Sequence, residues 1–455
     1  MPSPPSSDPS QHLQAAVASK DSIAIQEYLD SIDPAEAVHA IYRLSDLDQS
    51  RLLQALSRSE AAQLVGDMPE AQAAQMIERL PARDAAGIVA ALPSNEQADM
   101  IARFSNFDAS QILEAMPRED AQDAIRLMAY APDTAGGLMI IEYVAYEDNL
   151  SVGDVLDDLR ANADRYRQYD VQYAYVLTNG GKLHGVLRLR DLVLSAPEVP
   201  IANLMIENPL SVLDTAPLAE LQRFFDRHPL FGAPVVDRNG ALVGVVRGRD
   251  VEQAAEERSN RSFLKFMGIV GGEELRTMPL RSRSARRLSW LTVNILLNVV
   301  AASVIAMHQE TLAAVISLAV FLPIISDMSG CSGNQAVAVS MRELTLGLVR
   351  PREFLGVLGK EASVGLVNGI VLGLLLGGLG WLWQGNVMLG AVVAASLAIN
   401  TFVAVCVGGS IPLLLERLGQ DPALAAGPIL TTITDMTGFL LVLTLASQVL
   451  PYLTS

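Results

Sequence analysis

The feature that most constrains the fold is the apolar, charge-poor character of residues 288–455. This stretch holds 8 acidic and 5 basic side chains, whereas the whole chain of 455 residues carries 50 acidic and 33 basic ones. Apolar runs of about 20 residues are long enough to cross a bilayer as helices. The predicted spans are residues 288–307, 311–341, 362–383, 387–415 and 422–453. We therefore expect a five-helix α-helical transmembrane bundle.

Basic side chains indicate which loops face the cytoplasm. Arg286 and Arg287 precede the first span, and Arg342, Arg350 and Arg352 follow the second. Because Lys and Arg concentrate on the cytoplasmic side, the N-terminal domains are predicted to be cytoplasmic. With five spans the C-terminus is then periplasmic or extracellular.

The second span contains residues that a simple membrane anchor does not need. Pro323 removes a backbone donor and is expected to kink the helix. Gly330 and Gly333 allow either close backbone approach or unwound turns. The side chains that could present oxygen atoms to a crossing ion are Asp327, Asn334 and Gln335. We expect this segment to line a passage, with a break at the Gly-Asn-Gln motif.

A second carboxylate, Asp435, lies near the middle of the fifth span. Ionisable residues at membrane depth are costly and usually functional. Thr431 and Gly438 lie on the same helical face as Asp435 by their i, i+4 and i, i+3 spacing. The stripe predicts an ion-binding position. The alternative for Asp435 is a structural carboxylate bonded to a neighbouring helix, and the same alternative applies to Asp327.

The candidate ligands favour a hard divalent cation. The five histidines are scattered and Cys331 and Cys406 are far apart in the sequence, so zinc, copper and iron sites are poorly supported. Mg²⁺ keeps most of its waters and needs only one or two carboxylates, although spacing alone does not separate it from Mn²⁺ or Co²⁺. The net charge of −17 argues against nucleic-acid binding. The sequence contains no nucleophile–base constellation, so we do not expect an enzyme.

An internal repeat of 12 residues runs from residue 44 to residue 117. In each unit a large apolar residue is followed by Ser or Pro, with an acid or Gln three positions later, which is typical of a helix start. The Ser and Pro positions are Ser45, Ser57, Pro69, Pro81, Pro93, Ser105 and Pro117. Short helices that cannot bury a face alone stack on their neighbours, so residues 21–137 are predicted to form an α-solenoid. Residues 1–20 are predicted to be a disordered tail.

A second repeat has the pattern G-x-L-x-G-V-x-R-x-R-D at residues 181–191 and 240–250. Each copy predicts two strands around a glycine turn, followed by a helix. The pattern resembles the CBS-domain pair, over residues 138–255. That resemblance implies binding of ATP or another adenine nucleotide, with Asp191 and Asp250 near the ribose. The alternative role for both aspartates is capping of the following helix.

Residues 256–287 are predicted to form a linker helix that connects the sensory domains to the pore. The segment begins as a charged helix and is broken by Gly268, Gly271 and Gly272. Arginines follow immediately before the first span.

Three motifs lie along the chain: YAPDTAGGLM at residues 130–139, Gly-Asn-Gln at 333–335, and DPALA followed by GPILTTITDMTG at 421–438. In these motifs and in its domain order, the whole chain resembles the MgtE family of bacterial magnesium channels and transporters. It implies a homodimer in the bacterial inner membrane, with hydrated Mg²⁺ held on the two-fold axis by Asp435 of each subunit. The linker would then be a plug-type helix.

The resemblance also implies a cytoplasmic Mg²⁺ sensor that closes the pore. The regulatory acids that it suggests are Glu96, Asp99, Asp250, Glu252, Glu256 and Glu257. This chain departs from the family because Arg249, Arg258 and Arg261 stand among these acids. Since an arginine can supply the neutralising charge itself, we expect gating to depend less on cytoplasmic Mg²⁺. The alternative is that the acids still suffice for a metal-dependent sensor.

Two other functions fit parts of the sequence. One is a transporter for another divalent cation such as Mn²⁺ or Co²⁺, coupled to protons. The other is a nucleotide-sensing CBS protein for which the spans serve only as an anchor.

Overall fold

The computed structural model describes residues 9–454 except residues 20, 168, 170, 171, 179 and 277. The chain divides into two compact units, Met1–Ala255 and Glu256–Ser455. The first contains short helices followed by two small sheets, and the second contains long helices.

Short helices form the N-terminal domain. They are α1 Pro9–Ser19, α2 Ser22–Ser31, α3 Pro34–Tyr42, α4 Asp46–Ala55, α5 Arg58–Gly66, α6 Glu70–Glu78, α7 Ala82–Val89, α8 Ser94–Arg103, α9 Asn106–Ala115 and α10 Arg118–Met128. From α4 onward, each Ser or Pro of the 12-residue repeat is the N-cap of its helix. Ser57 and Glu60 form a reciprocal capping box. The predicted helix starts are therefore confirmed.

The N-terminal helices stack as the repeat predicts. From α4 to α10, contacts join each helix to the second one along the chain, as in α5 with α7 and α7 with α9. Leu52, Val65, Ile77, Val89 and Ile101 are among the buried side chains of one continuous apolar core. Each two-turn helix thus buries its apolar face against its neighbours.

The prediction of a disordered tail over residues 1–20 is wrong for residues 9–19, which form α1. Leu13 and Val17 lie one helical turn apart and are 0% and 1% exposed. Both belong to the core of the N-terminal domain. Burial of these apolar side chains stabilises the helix, although the polar composition of the segment suggested disorder. Residues 1–8 lie outside the described part of the chain.

The two copies of the second repeat form two sheets. The first contains β1 Val144–Glu147, β2 Tyr173–Leu177, β3 Leu183–Arg188 and β4 Ile206–Glu207, in that order. The second contains β5 Val212–Leu213, β6 Gly232–Val236 and β7 Leu242–Arg247. In each, a parallel pair (β1 with β2, β5 with β6) is followed by the predicted antiparallel hairpin.

Helices surround these sheets. They are α11 Ala135–Leu138, α12 Val152–Ala161, α13 Ala163–Tyr166, α14 Leu189–Leu194, α15 Leu218–Arg227 and α16 Gly248–Phe266, with a 3-10 turn at Ile201–Asn203. The turns of the two hairpins pair with each other: Leu183 N donates to Gly240 O, and Leu242 N to Gly181 O, both at 3.1 Å. Because Gly181 and Gly240 have φ of +75° and +83°, glycine is the residue that these turns favour. The predicted CBS-like pair is thus two matching halves.

The second unit consists mainly of long helices. They are α17 Leu280–Met307, α18 Gln309–Ala314, α19 Leu318–Thr345, α20 Phe354–Gln384, α21 Val387–Arg417, α22 Pro422–Gln448 and α23 Leu450–Leu453, with a 3-10 turn at Pro351–Glu353. Within the described residues, four segments are long and apolar enough to cross a membrane: Leu280–Met307, Pro351–Gln384, Val387–Arg417 and Pro422–Gln448. The 28-residue α19 is not among them. Its many polar side chains distinguish it from its neighbours.

Glycines allow α20 and α21 to pack unusually closely. Gly369, Gly373 and Gly377 recur every four residues on α20 and are buried. A Cβ at each would lie 2.5–2.6 Å from a backbone carbonyl oxygen of α21. Small residues at this spacing let membrane helices approach backbone to backbone. The two helices therefore form a tight antiparallel pair.

The predicted break at the Gly-Asn-Gln motif is absent from the described helices. α19 is continuous through Gly330 and Gly333, with Pro323 inside it, and α21 is continuous through Gly408 to Pro412. The prediction of a break at Gly-Asn-Gln was therefore wrong. Close approach explains the glycines instead: a Cβ on Gly408 would lie 2.3 Å from the carbonyl oxygen of Gly333.

Candidate functional site

Asp435 lies on α22 and is half-buried where α22 meets α19. Its Oδ1 accepts a short hydrogen bond from the hydroxyl of Ser326 on α19. Ser326 and Asp327 are adjacent on α19, and Asp327 is exposed. The structure therefore gives the two carboxylates different surroundings. Asp435 is hydrogen-bonded to a neighbouring helix, as the structural alternative for this residue predicted, and it is also partly exposed.

Further polar contacts surround this turn of α22. Asn400 on α21 donates from Nδ2 to the carbonyl oxygen of Thr434 at 3.0 Å. One residue further along α21, the hydroxyl of Thr401 lies 3.4 Å from that of Ser329 on α19. All four side chains are buried. Hydroxyl and amide groups at such contacts can stabilise membrane helices against one another.

The predicted pore residues of α19 differ in exposure. Pro323, Asp327 and Gln335 are exposed, and Asn334 is half-buried. Asp327 and Gln335 are eight residues apart, which puts them on the same side of the helix. Together they form a polar stripe that faces outward in the single chain.

The predicted glycines have packing roles that the structure makes specific. A Cβ on Gly333 would lie 2.9 Å from the carbonyl oxygen of Ala404, whereas a Cβ on Gly330 would lie 3.8 Å from Thr434 Oγ1. A Cβ on Gly438 would lie 2.7 Å from Nδ2 of Asn400. Gly438 thus packs against α21.

Thr431 lies one turn before Asp435 on α22 and is half-buried. Its carbonyl oxygen accepts a hydrogen bond from Thr434 Oγ1 at 2.9 Å.

Sequence reasoning missed Ser326 and Asn400. Ser326 directly precedes Asp327, and the carboxylate of Asp327 was the stronger signal of a functional residue. Asn400 was a detectable signal, because it is an uncharged amide within an otherwise apolar run. Its partner on another helix could not be read from the sequence.

Two candidate regulatory acids of the first unit, Asp250 and Glu96, lie near the buried Arg247. Arg247 and Asp250 are joined at 2.6 Å between Nε and Oδ2, and both side chains are 11% exposed. Arg249 approaches the other oxygen of Asp250 at 3.6 Å. Burial raises the pKa of Glu96 to about 7, and the nearby Arg247 opposes this rise. Asp250 and Glu96, two of the acids that were predicted to bind metal, are therefore already close to arginine.

The N-terminus of α8, the helix that carries Glu96 and Asp99, is capped by a residue from outside the helix. Glu142 accepts hydrogen bonds from the backbone N–H of Ser94 at 3.0 Å and from its hydroxyl at 2.8 Å. A carboxylate at a helix N-terminus is favourable because it pairs with free N–H groups and the helix dipole. The cap places α8 beside the start of the CBS-like pair.

A cleft of about 250 Å³ lies between the two halves of the CBS-like pair. Aromatic and basic side chains line it, including Tyr143, Tyr173, Phe231, Arg247 and Arg249. Glu252 also lines it.

Asp191 lies away from the cleft, in the first turn of α14, where Arg190 approaches it at 3.5 Å. In the described structure no side-chain hydrogen bond caps α14. The capping alternative for Asp191 is therefore not supported.

In the second unit, an ion pair joins the end of α16 to α22. Nζ of Lys265 lies 2.7 Å from Oδ2 of Asp421. The other oxygen of Asp421 accepts the N–H of Ala423 and caps α22. The charge of Lys265 is thus fixed at the start of the helix that carries Asp435.

Glu256 and Glu257, also predicted as regulatory acids, lie on α16 as well, and Glu256 is exposed. Among the described residues, no group of three or more His, Cys, Asp or Glu side chains is arranged to hold a metal ion.

Comparisons with known proteins agree with this organisation. Residues 322–445 match the family described as divalent cation transporter MgtE, residues 32–133 the MgtE intracellular N domain, and residues 201–257 the CBS domain. The magnesium transporter MgtE of Thermus thermophilus is 35% identical over 327 residues, which cover 71% of this chain and 72% of the relative. That of Bacillus subtilis is 31% identical over 317 residues, 69% of each chain.

A solved structure supports the fold of the first unit. The soluble part of a magnesium transporter aligns with a TM-score of 0.50 and 20% identity, covering 55% of this chain and 98% of that chain.

Proposed function

The chain belongs to the MgtE family of magnesium transporters, and from this premise we propose that it is a Mg²⁺ channel gated by its cytoplasmic domains. The observation that carries the proposal is Asp435, a half-buried carboxylate within an apolar helix whose Oδ1 is held by Ser326. A membrane-embedded carboxylate that remains partly accessible is suited to attract a cation. We propose transport rather than catalysis as its role.

The pore forms between two copies of the chain. The support is the outward polar stripe of α19, with Asp327 and Gln335 exposed, because polar groups at membrane depth face a partner or a wet cavity. In this proposal α19 is the fifth span, shielded from lipid by the second copy. The polar side chains of α19 are then required by the ion pathway. The N-terminal domains lie in the cytoplasm of a bacterial cell and the C-terminus on the periplasmic side.

Mg²⁺ crosses with most of its water. It gives up hydration reluctantly and binds through one or two carboxylates, which matches one Asp435 from each copy. Asn334 and Thr431 supply oxygen atoms to the hydration shell near this position. Mn²⁺ and Co²⁺ would be accepted by the same oxygen ligands, so selectivity depends on how strictly the site preserves the hydrated octahedron.

Gating uses positively charged side chains of the protein itself. Arg247 neutralises Asp250 in the first unit and Lys265 neutralises Asp421 in the second. Arg247 supplies positive charge near Asp250 and Glu96, where a divalent ion could otherwise relieve repulsion between acids. We therefore expect closure to require less cytoplasmic Mg²⁺ than if Asp99, Glu252, Glu256 and Glu257 had to be bridged by metal alone.

An adenine nucleotide such as ATP is a second input. The support is the cleft of about 250 Å³ with tyrosines and arginines in its lining. Aromatic rings can stack on a base, and arginine pairs with phosphate through two parallel hydrogen bonds. Because Arg247 both lines the cleft and binds Asp250, nucleotide phosphate would compete with Asp250 for the same guanidinium.

Flux measurements test the proposed function. The full-length protein in liposomes should admit Mg²⁺ in preference to Mn²⁺ and Co²⁺ at fixed voltage and pH, and Asp435→Asn should remove that flux. Flux that requires a proton gradient would favour the coupled transporter instead. Absence of any cation flux, with nucleotide binding intact, would favour the anchored sensor.

A further inference from the structure

Asn400 is an unusual residue for the centre of an apolar helix. It lies on α21 and is 0% exposed. Its Nδ2 donates to the carbonyl oxygen of Thr434 at 3.0 Å. Its Oδ1 is also buried and has no hydrogen-bond partner in the described part of the chain. An unpaired buried amide oxygen carries a desolvation penalty, so packing alone gives no reason for an amide at this position.

The carbonyl group that Asn400 binds belongs to the residue immediately before Asp435. In a regular α-helix, the Thr434 carbonyl accepts the N–H four residues ahead, and the amide of Asn400 adds a second donor from another helix. Ser326 on α19 binds the carboxylate of Asp435. Two helices thus hold the same turn of α22, one by its backbone and one by its acidic side chain.

Gly438 makes this contact possible. It lies one turn after Thr434, and a Cβ there would lie 2.7 Å from Nδ2 of Asn400. That distance is too short for a carbon beside an amide nitrogen, so a side chain at position 438 would push the amide off the Thr434 carbonyl. Asn400 and Gly438 therefore act as a matched pair.

We propose that Asn400 is a positioning residue that fixes the turn of α22 so that Asp435 faces the ion. The inference rests on the proposed function, because it assumes that Asp435 is the ion-binding carboxylate. Asn400 does not reach the ion, since its side chain is fully buried. It acts through the backbone of Thr434, as outer-shell groups orient the ligands of metal sites.

Asn400→Leu is the first test, because leucine is similar in size and removes both the donor and the unpaired oxygen. Losing an outer-shell partner typically weakens metal binding about tenfold or more. We expect the Mg²⁺ concentration for half-maximal flux to rise about tenfold, with the maximal flux per folded protein unchanged. A purely structural role would instead change the yield or the melting temperature and leave the half-saturating concentration alone.

Gly438→Ala gives an independent test with Asn400 intact. Its methyl group should displace the amide and raise the half-saturating concentration to a similar extent. Asn400→Ala alone should raise it as well, and in Asn400→Ala/Gly438→Ala the effects of these two single variants should not add, because both remove one contact. Ser396→Ala is the control: Ser396 is also 0% exposed on α21, but it bonds Val392 O of its own helix at 2.7 Å.

The outcomes separate this inference from the proposed function. Wild-type half-saturation in folded Asn400→Leu or Gly438→Ala, or additive effects in the double variant, would overturn the positioning role while Asp435→Asn remains inactive. Normal flux in Asp435→Asn would overturn the proposed function itself. If Asn400→Leu does not fold, Gly438→Ala and its double variant still test the positioning role.

Discussion

Ser326 of α19 donates its hydroxyl hydrogen bond to Oδ1 of Asp435 on α22. The bond leaves the second carboxylate oxygen for other partners and keeps the acid from rotating freely. It also links the two helices that contribute most of the predicted pathway residues. An ion that binds Asp435 therefore meets a carboxylate whose orientation is already fixed.

Removing the charge of Asp435 should stop transport. Asp435→Asn keeps the size of the side chain and its ability to accept from Ser326, but it removes the negative charge that attracts a divalent cation. We expect almost complete loss of Mg²⁺ flux in liposomes, with an unchanged elution profile for the purified protein. Asp435→Glu, which retains the charge, should keep part of the flux. Equal flux in Asp435→Asn and wild type would exclude Asp435 from the pathway.

Removing the Ser326 hydroxyl should weaken the site without abolishing it. Ser326→Ala leaves the charge of Asp435 but frees its side chain, and we expect the half-saturating Mg²⁺ concentration to rise about tenfold, as for other outer-shell losses. The concentration dependence of flux measures this. Ser303→Ala is the control, since Ser303 is exposed on α17 and bonds its own helix at 2.6 Å. An unchanged concentration dependence in Ser326→Ala would contradict the proposed orienting role.

A larger residue at position 333 should disturb helix packing. Gly333→Val would force side-chain atoms against the Ala404 carbonyl and Leu430, both 2.9 Å from the position of a Cβ. Overpacking of this kind typically costs about 1–3 kcal/mol, so we expect a lower melting temperature and impaired flux, with membrane insertion unchanged. Gly378→Ala is the matched control, because no described atom lies within 4 Å of a Cβ there. Normal stability and flux in Gly333→Val would show that close approach is not needed.

Breaking the Lys265–Asp421 pair should alter gating. Lys265→Met keeps the length of the side chain but removes its charge, so α16 loses its ion pair with the N-terminus of α22. We expect a higher open probability in patch-clamp recordings at low internal Mg²⁺. The exchanged pair Lys265→Asp/Asp421→Lys should restore part of the closure. Identical open probabilities in wild type and Lys265→Met would remove this pair from the gating scheme.

The N-terminal domain should lose local stability as the pH rises from about 4.5 to about 7. Glu96 has a folded-state pKa of about 7 compared with an ordinary value of 4.5, because burial disfavours its charged form. Between these values the folded state binds the proton more tightly, so stability is greatest below 4.5 and falls as Glu96 ionises. The full shift corresponds to about 3 kcal/mol.

Hydrogen exchange of α8 in the full-length protein can measure this effect. Exchange should be faster at pH 7.5 than at pH 5.5 after correction for the intrinsic rate, and Glu96→Gln should remove the difference. Glu60→Gln is the control, because hydrogen bonds with Ser57 lower the pKa of Glu60 below its usual value. A pH dependence that persists in Glu96→Gln would assign the effect to another group.

Local chemistry explains what the sequence could predict. Ser57 and Glu60 bond within one turn of each other, and Gly181 adopts a positive φ within its own hairpin. Such features depend on neighbouring residues, so the helix starts of the solenoid and the hairpins were predictable. The 9–19 helix was not, because Leu13 and Val17 are stabilised by a core built from distant residues.

Glycine is ambiguous where local and distant effects compete. Gly333 is compatible with an unwound turn or with a tight helix crossing, and the sequence shows the same letter for both. The structure selects the crossing, because the partner is the Gly408 region of α21. Likewise Ser326 and Asn400 are recognisable as polar residues, but their bonds to α22 depend on how separate helices are arranged. The candidate carboxylate was therefore predictable and the groups that hold it were not.

The close contact between α20 and α21 limits how the bundle can move. With Gly369, Gly373 and Gly377 facing backbone carbonyl oxygens, rotation of either helix would bring a larger side chain into a gap that fits only hydrogen. Sliding by one residue would have the same effect. The two helices must therefore turn or tilt together as one rigid pair, and any widening of the bundle must occur at contacts that do not depend on such glycines.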